Sequence, residues 1–138
     1  MRAKRVSSLL EVTVIIFGML LAARLWLSGI YLFGWMAMQW QASVLVWCVA
    51  AGLILLADRP LPALFLAVGH TAGAFVGQYL GDWLRAWNSA RITPDMTAGQ
   101  VAQLEQHDGF FLWVAAMLLC LAAGIAVDHA RRKRKKGT

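Results

Sequence analysis

Residues 61–84 read LPALFLAVGHTAGAFVGQYLGDWL, and this stretch decides the fold class. It is long and apolar enough for a helix that crosses a bilayer, which needs about 20 residues for about 30 Å of hydrocarbon. Glycine recurs at every fourth position and so follows one slowly drifting stripe of the helix: Gly69, Gly73, Gly77 and Gly81. Small residues at this spacing let a second helix approach closely in lipid. The stripe therefore predicts a tight helix contact, either within the chain or with a second copy.

A polar face adjoins these glycines on the same predicted helix. His70, Gln78 and Asp82 fall within about one third of the helix circumference. Contact with lipid would be costly for such side chains, so we expect this face to turn inward or to line a wet cavity. Arg24, in the first apolar stretch, is the expected partner of Asp82. The set is interpreted either as an ion pair that locks two spans together or as a polar pathway with His70 as its protonatable group.

Three further apolar stretches, at about 12–33, 40–57 and 110–128, complete the pattern. Together with residues 61–84 they predict an all-α, polytopic membrane protein, a bundle of four transmembrane helices in a single domain. Of the 138 residues, 60% are hydrophobic and 14% are charged, which excludes a disordered chain and most soluble enzymes. A cleaved signal peptide is the alternative for the first stretch, but Glu11 interrupts the approach to it.

Basic residues concentrate at the two ends of the chain. Such residues favour the cytoplasmic side of a membrane, so the pattern predicts a multi-pass protein of the inner (plasma) membrane with both termini cytoplasmic. The tail at 129–138 contains a basic run that we expect to contact anionic lipid: Arg131, Arg132, Lys133, Arg134, Lys135 and Lys136. The net charge of +6 does not predict nucleic-acid binding, because no aromatic or glycine-rich module accompanies the run.

The connection between the third and fourth stretches contains signals for the start of a helix. Thr93 is followed by a proline, which fits an N-cap with proline at the first helical position. Thr97 and Gln100 fit a capping box. We predict a short amphipathic helix in this outer loop, ending near residues 107–109. It is interpreted as a structured connector, a lid over a pore mouth or a docking site for a partner.

The sequence contains no motif for catalysis or for a cofactor. Cys48, Cys120 and His70 fall at similar depths, but they lack the CxxC or HxxxH spacing that is typical of metal sites. Nucleophile motifs, phosphate-binding loops and dinucleotide-binding glycine patterns are absent as well. We therefore expect a protein that is not an enzyme and that carries no metal and no cofactor.

Two kinds of small membrane protein resemble this chain in part. Small multidrug transporters are similar in size and helix count, but their essential glutamate lies within the first span, whereas Glu11 precedes the apolar run here. Phage holins are similar in small size and in a basic tail, but four spans and a structured outer loop depart from them. The sequence is assigned to no family.

The leading functional interpretation is a channel-like or transporter-like protein. We expect it to self-associate through a glycine zipper and to provide a polar pathway for an ion or small solute, lined by His70, Gln78 and Asp82. Arg24 is the expected counter-charge. The alternatives are an accessory or scaffold subunit of a larger membrane complex and a holin-like pore former. The expected partners are the lipid bilayer and either a second copy or a larger membrane protein.

Overall fold

The computed structural model describes residues 2–136 and the side chains of residues 3–134. This part of the chain forms helices and no strand, in the order α1 (Arg2–Leu25), α2 (Tyr31–Met38), α3 (Trp40–Leu55), α4 (Pro60–Ser89), α5 (Ala98–Leu104) and α6 (Gly109–Lys136). Three of them are long and apolar enough to cross a membrane, and a fourth span results if α2 and α3 are counted together. The all-α class is confirmed, with three or four potential spans.

The first helix lies earlier in the chain than predicted. α1 begins at Arg2 and ends at Leu25, so the predicted boundary at residue 33 is wrong. Ser28 and Gly29 follow α1 in a turn, and both are weaker helix formers than the apolar residues before them. Residues 31–33, which the prediction counted in the first span, belong to α2 instead.

The second predicted stretch matches α3 closely, but α3 does not stand alone. Its 16 residues reach only about 24 Å, which is shorter than the hydrocarbon layer. α2 precedes it at an angle of 76°, with Gln39 at the break. The two helices therefore form a bent pair rather than one straight span.

α4 is the central helix of the bundle. It begins with Pro60, whose missing N–H and fixed φ suit the first helical position. Its 30 residues span about 45 Å, so it is longer than the hydrocarbon layer of a bilayer. α4 contacts all five other helices, whereas α6 packs chiefly on α4. Residues on α4 are therefore the ones that can bring different parts of the chain together.

Two apolar clusters fill the interior. One joins α1, α3 and α4 and includes Ile16, Ile54 and Leu66. The other joins α1, α2, α4 and α6 and includes Phe33 and Trp113. On α4 the first cluster ends at Ala67 and the second begins at Ala74. The buried stretch between them contains His70.

Charged residues meet at the end of the bundle that holds both ends of the described chain, which we call the basic end. Arg5 Nε lies 3.0 Å from Asp58 Oδ1. Asp128 lies 3.3 Å from Arg59 and 2.9 Å from Arg132. Asp58 has a φ of 52°, a left-handed conformation that aspartate adopts more readily than most residues. These ion pairs fix the turn between α3 and α4 against α1 and α6.

At the opposite end, which we call the loop end, the predicted short helix is present as α5. Thr97 and Gln100 form the predicted capping box, so this start signal is confirmed. Thr93 does not cap the helix, and α5 ends at Leu104, before the predicted 107–109. A hydrogen bond from the Thr93 side chain instead lowers the pKa of the Asp95 carboxyl.

Candidate functional site

The most deeply buried ionisable side chain in the described part of the bundle is His70. It is fully buried on α4, between the two apolar clusters. Its Nε2 atom lies 3.4 Å from the hydroxyl of Ser43 on α3, and its Nδ1 atom has no hydrogen-bond partner among the described residues. Buried polar atoms are normally paired, so an unpaired imidazole nitrogen at this depth calls for an explanation.

Trp113 holds α6 against α4 at the level of His70. Its indole Nε1 donates to the backbone carbonyl oxygen of His70 at 3.0 Å. The two rings meet edge to face, with centroids 5.3 Å apart, a geometry that aromatic pairs favour. Only 3% of Trp113 is exposed. The histidine therefore contacts both Ser43 of α3 and the indole of α6.

A second group of polar side chains lies at the loop end, and we call it the polar clasp: Gln78, Asp82 and His107. Gln78 Oε1 accepts the backbone N–H of Leu32 at 2.7 Å, and Gln78 Nε2 donates to Asp82 Oδ2 at 2.7 Å. Leu32 lies in the first turn of α2, which has no side-chain cap of its own. Gln78 thus satisfies one of the N–H groups that a helix start leaves unpaired.

His107 completes the clasp from the segment before α6. Its Nε2 atom lies 3.1 Å from Asp82 Oδ1, and its Nδ1 atom accepts the backbone N–H of Gly109 at 3.0 Å. Because Nδ1 is an acceptor, the neutral ring carries its proton on Nε2 and donates it to the carboxylate. The clasp therefore links the starts of α2 and α6 to α4.

Arg24 does not belong to either group. Because α1 ends at Leu25, Arg24 lies in the last turn of this helix. A cation there complements the negative end of the helix dipole. The predicted pair with Asp82 is not made in the structure, where the carboxylate is bound by Gln78 and His107 instead. Arg24 is exposed beside Phe17 and Trp40.

The glycine stripe contacts α6 of the same chain. A Cβ atom at Gly69 would lie 2.6 Å from Cβ of Cys120, and one at Gly73 would lie 3.0 Å from the carbonyl oxygen of Trp113. At Gly77 and Gly81 it would meet Gly109. The close approach predicted from the stripe is present within the chain. Self-association through this face is not what the structure shows, because α6 already fills it.

The closing basic run continues α6 rather than forming a separate tail, since the helix extends to Lys136. Arg131 and Arg132 line a cleft at the basic end, and Lys133 and Arg134 are exposed. The side chains of Lys135 and Lys136 lie outside the described residues. Among the residues predicted for the polar pathway, the structure brings Gln78 and Asp82 into contact through a hydrogen bond.

Three important side chains were missed from the sequence: Ser43, His107 and Trp113. Pairing over such separations depends on how the helices pack, which no local spacing reveals. The signal that existed was chemical, because each is a hydrogen-bonding residue inside or directly beside an apolar stretch. Among the described side chains, no group of three His, Cys, Asp or Glu residues is arranged to hold a metal ion.

Comparison with known proteins adds no relative. No protein family, curated protein sequence or solved structure matches the chain. A function is therefore inferred chiefly from the geometry of His70 and the polar clasp.

Proposed function

We propose that the protein is a non-enzymatic, four-span membrane protein that provides a polar pathway for protons, with His70 as its central group. The observation that carries this proposal is the fully buried imidazole whose Nδ1 atom has no hydrogen-bond partner in the described part of the chain. An ionisable side chain inside a membrane is costly and usually marks an ion or proton route. Histidine suits this role because one ring nitrogen of a neutral imidazole donates a proton while the other accepts one.

The spacing of charged residues supports insertion in a bilayer. Along α1, Arg5 and Arg24 are about 28 Å apart. Along α6, Asp128 and the start of the helix at Gly109 are separated by about the same distance. Both distances are close to the roughly 30 Å of hydrocarbon in a bilayer. His70, about 15 Å along α4 from Pro60, then lies near the midplane.

The distribution of Lys and Arg supports an orientation with the basic end in the cytoplasm. The ends of the chain and the turn at Arg59 meet there, while the loop end carries only Arg24, Arg85 and Arg91. Basic residues are retained on the cytoplasmic side during insertion. We accordingly place the protein in the inner (plasma) membrane with both termini cytoplasmic.

A proton is favoured over larger species because α4 and α6 pack closely. The glycine stripe is filled by α6, and both polar atoms of the Gln78 side-chain amide are already bonded, so these surfaces leave little room for a hydrated solute. Protons move along hydrogen bonds and need no wide lumen. Asp82, with 53% of its side chain exposed, offers an entrance at the loop end.

The route from the clasp to His70 covers about 12 Å along α4 and requires bridging water molecules. The proposal is tested by proton flux into liposomes, read with a trapped pH-sensitive dye under a potassium diffusion potential. We expect flux from the wild-type protein and none above the lipid leak from His70→Ala. Equal flux from the two proteins would refute the pathway.

A second candidate is an accessory subunit of a larger membrane complex. It is favoured by aromatic residues on the exposed side of α4, where Tyr79, Trp83 and Trp87 are each more than half exposed. A photo-crosslinker at Tyr79 should then give one discrete adduct in cells, whereas Val14, on the exposed side of α1, should give none. Diffuse or absent adducts at both positions would remove this candidate.

A further inference from the structure

A cleft of about 510 Å³ lies at the basic end of the bundle. It is bounded by the start of α1, the turn before α4 and the end of α6. Basic side chains outnumber acidic ones in its wall: Lys4, Arg5, Arg131 and Arg132 face Asp58 and Asp128. A cleft with an excess of positive charge concentrates anions.

The acidic side chains of the cleft are already engaged. Asp58 binds Arg5 at 3.0 Å, and Asp128 binds Arg132 at 2.9 Å. Arg132 also donates to the backbone carbonyl oxygen of Asp58 at 2.5 Å. These contacts neutralise both carboxylates and fix two guanidinium groups at the rim, which reduces the entropy lost when an anion binds.

The remaining two cations are available to a ligand. Lys4 and Arg131 are exposed, and among the described side chains neither forms an ion pair or a side-chain hydrogen bond. They come from opposite ends of the chain, so only the folded bundle brings them to one cleft. Arginine presents several N–H donors in a plane that suits phosphate oxygens, and lysine adds a point charge.

The start of α4 adds a further attraction for an anion. Pro60 and Leu61 form one edge of the cleft, and no side chain caps this helix. The positive end of the helix dipole therefore lies beside the cleft. Leu61 also supplies an apolar surface beside the charged groups.

We propose that this cleft binds the phosphate group of an anion, with Lys4 and Arg131 as its contact residues. An anionic phospholipid and a free phosphate share this chemistry. In the orientation proposed above the cleft lies level with the lipid headgroups, and the apolar edge at Leu61 is where an acyl chain would leave it. The site does not depend on His70, so failure of the proton pathway would leave it intact.

The test is a binding titration of the purified full chain in detergent, with short-chain phosphatidylglycerol, short-chain phosphatidylcholine and inorganic phosphate as separate ligands. We expect phosphatidylglycerol to bind more tightly than phosphatidylcholine. The double variant Lys4→Gln/Arg131→Gln should weaken its binding by about tenfold or more, since each basic residue near an anionic headgroup contributes substantially. Inorganic phosphate that binds as tightly as the lipid would support the site and assign it to a soluble ligand.

A matched control separates the cleft from general charge. Lys133→Gln removes one positive charge from the same helix, two residues beyond Arg131, at a residue that does not line the cleft. Compared with it, Arg131→Gln alone should have the larger effect. Equal effects of Arg131→Gln and Lys133→Gln, or equal affinity for the two lipids, would overturn the proposal. The melting temperatures of all variants show whether each remains folded.

Discussion

His107 Nε2 lies 3.1 Å from Asp82 Oδ1, and this contact joins the segment before α6 to the central helix. The other oxygen of the same carboxylate, Oδ2, accepts a hydrogen bond from Gln78 Nε2. Gln78 Oε1 in turn accepts a hydrogen bond from the backbone N–H of Leu32. One carboxylate thus holds the starts of two helices. The loop end of the bundle is fixed by polar contacts, whereas its interior is fixed by close packing.

Replacing Gln78 by methionine should destabilise the fold. Gln78→Met keeps the side-chain length but leaves the N–H of Leu32 without its acceptor and Asp82 Oδ2 without the Gln78 donor. An unsatisfied buried polar group costs about 1–3 kcal/mol of unfolding free energy. Thermal unfolding in detergent, followed by tryptophan fluorescence, measures the change. Gln103→Met, an exposed glutamine on α5, is the control, and equal melting temperatures for the two variants would contradict the clasp.

Alanine at two different glycines should have opposite effects. A methyl group at Gly77 would meet the carbonyl oxygen of Gly109 and lie 2.9 Å from Leu32, so Gly77→Ala should destabilise the bundle by about 1–3 kcal/mol. Gly18 has nothing within 4 Å, so Gly18→Ala should stabilise α1 by about 0.5–1 kcal/mol. The same thermal unfolding measurement applies, and changes of the same sign would contradict this packing.

The Gly77→Ala variant also shows where the stripe makes its contact. Because α6 of the same chain fills the stripe, the mass of the particle should not change even though its melting temperature falls. Light scattering corrected for bound detergent gives that mass. A smaller particle with an unchanged melting temperature would show that the stripe joins separate copies.

Labelling should place α5 and the far end of α6 on opposite sides of the membrane. In a background of Cys48→Ala and Cys120→Ala, His129→Cys should react with an impermeant maleimide only after cells are opened. Gln103→Cys on α5 should react in intact cells. The same accessibility at both positions would contradict the proposed orientation.

The sequence predicted what depends on local pattern. Glycine spacing on α4 predicted a close helix contact, and Thr97 with Gln100 predicted the start of α5. It did not predict which helix fills the stripe, since the spacing is equally suitable for a neighbouring chain.

Contacts between residues that are far apart in the sequence could not be predicted for the same reason. The sequence pairs Asp82 with Arg24, because both are charges near apolar stretches. This ion pair is absent from the structure, because α1 ends soon after Arg24 and His107 binds the Asp82 carboxylate instead. Buried Ser43 beside His70 follows from the packing of α3 on α4, which composition does not encode.

The proton pathway through His70 is tested most directly by comparing proton flux through His70→Gln with that through the wild-type protein. Glutamine can hydrogen-bond to Ser43 but cannot take up a proton, so it separates protonation from packing. His129→Gln, an exposed histidine at the basic end, is the matched control. We expect the flux through His70→Gln to fall to the leak of protein-free liposomes at an unchanged melting temperature, while His129→Gln retains full flux. Wild-type flux in His70→Gln would contradict it.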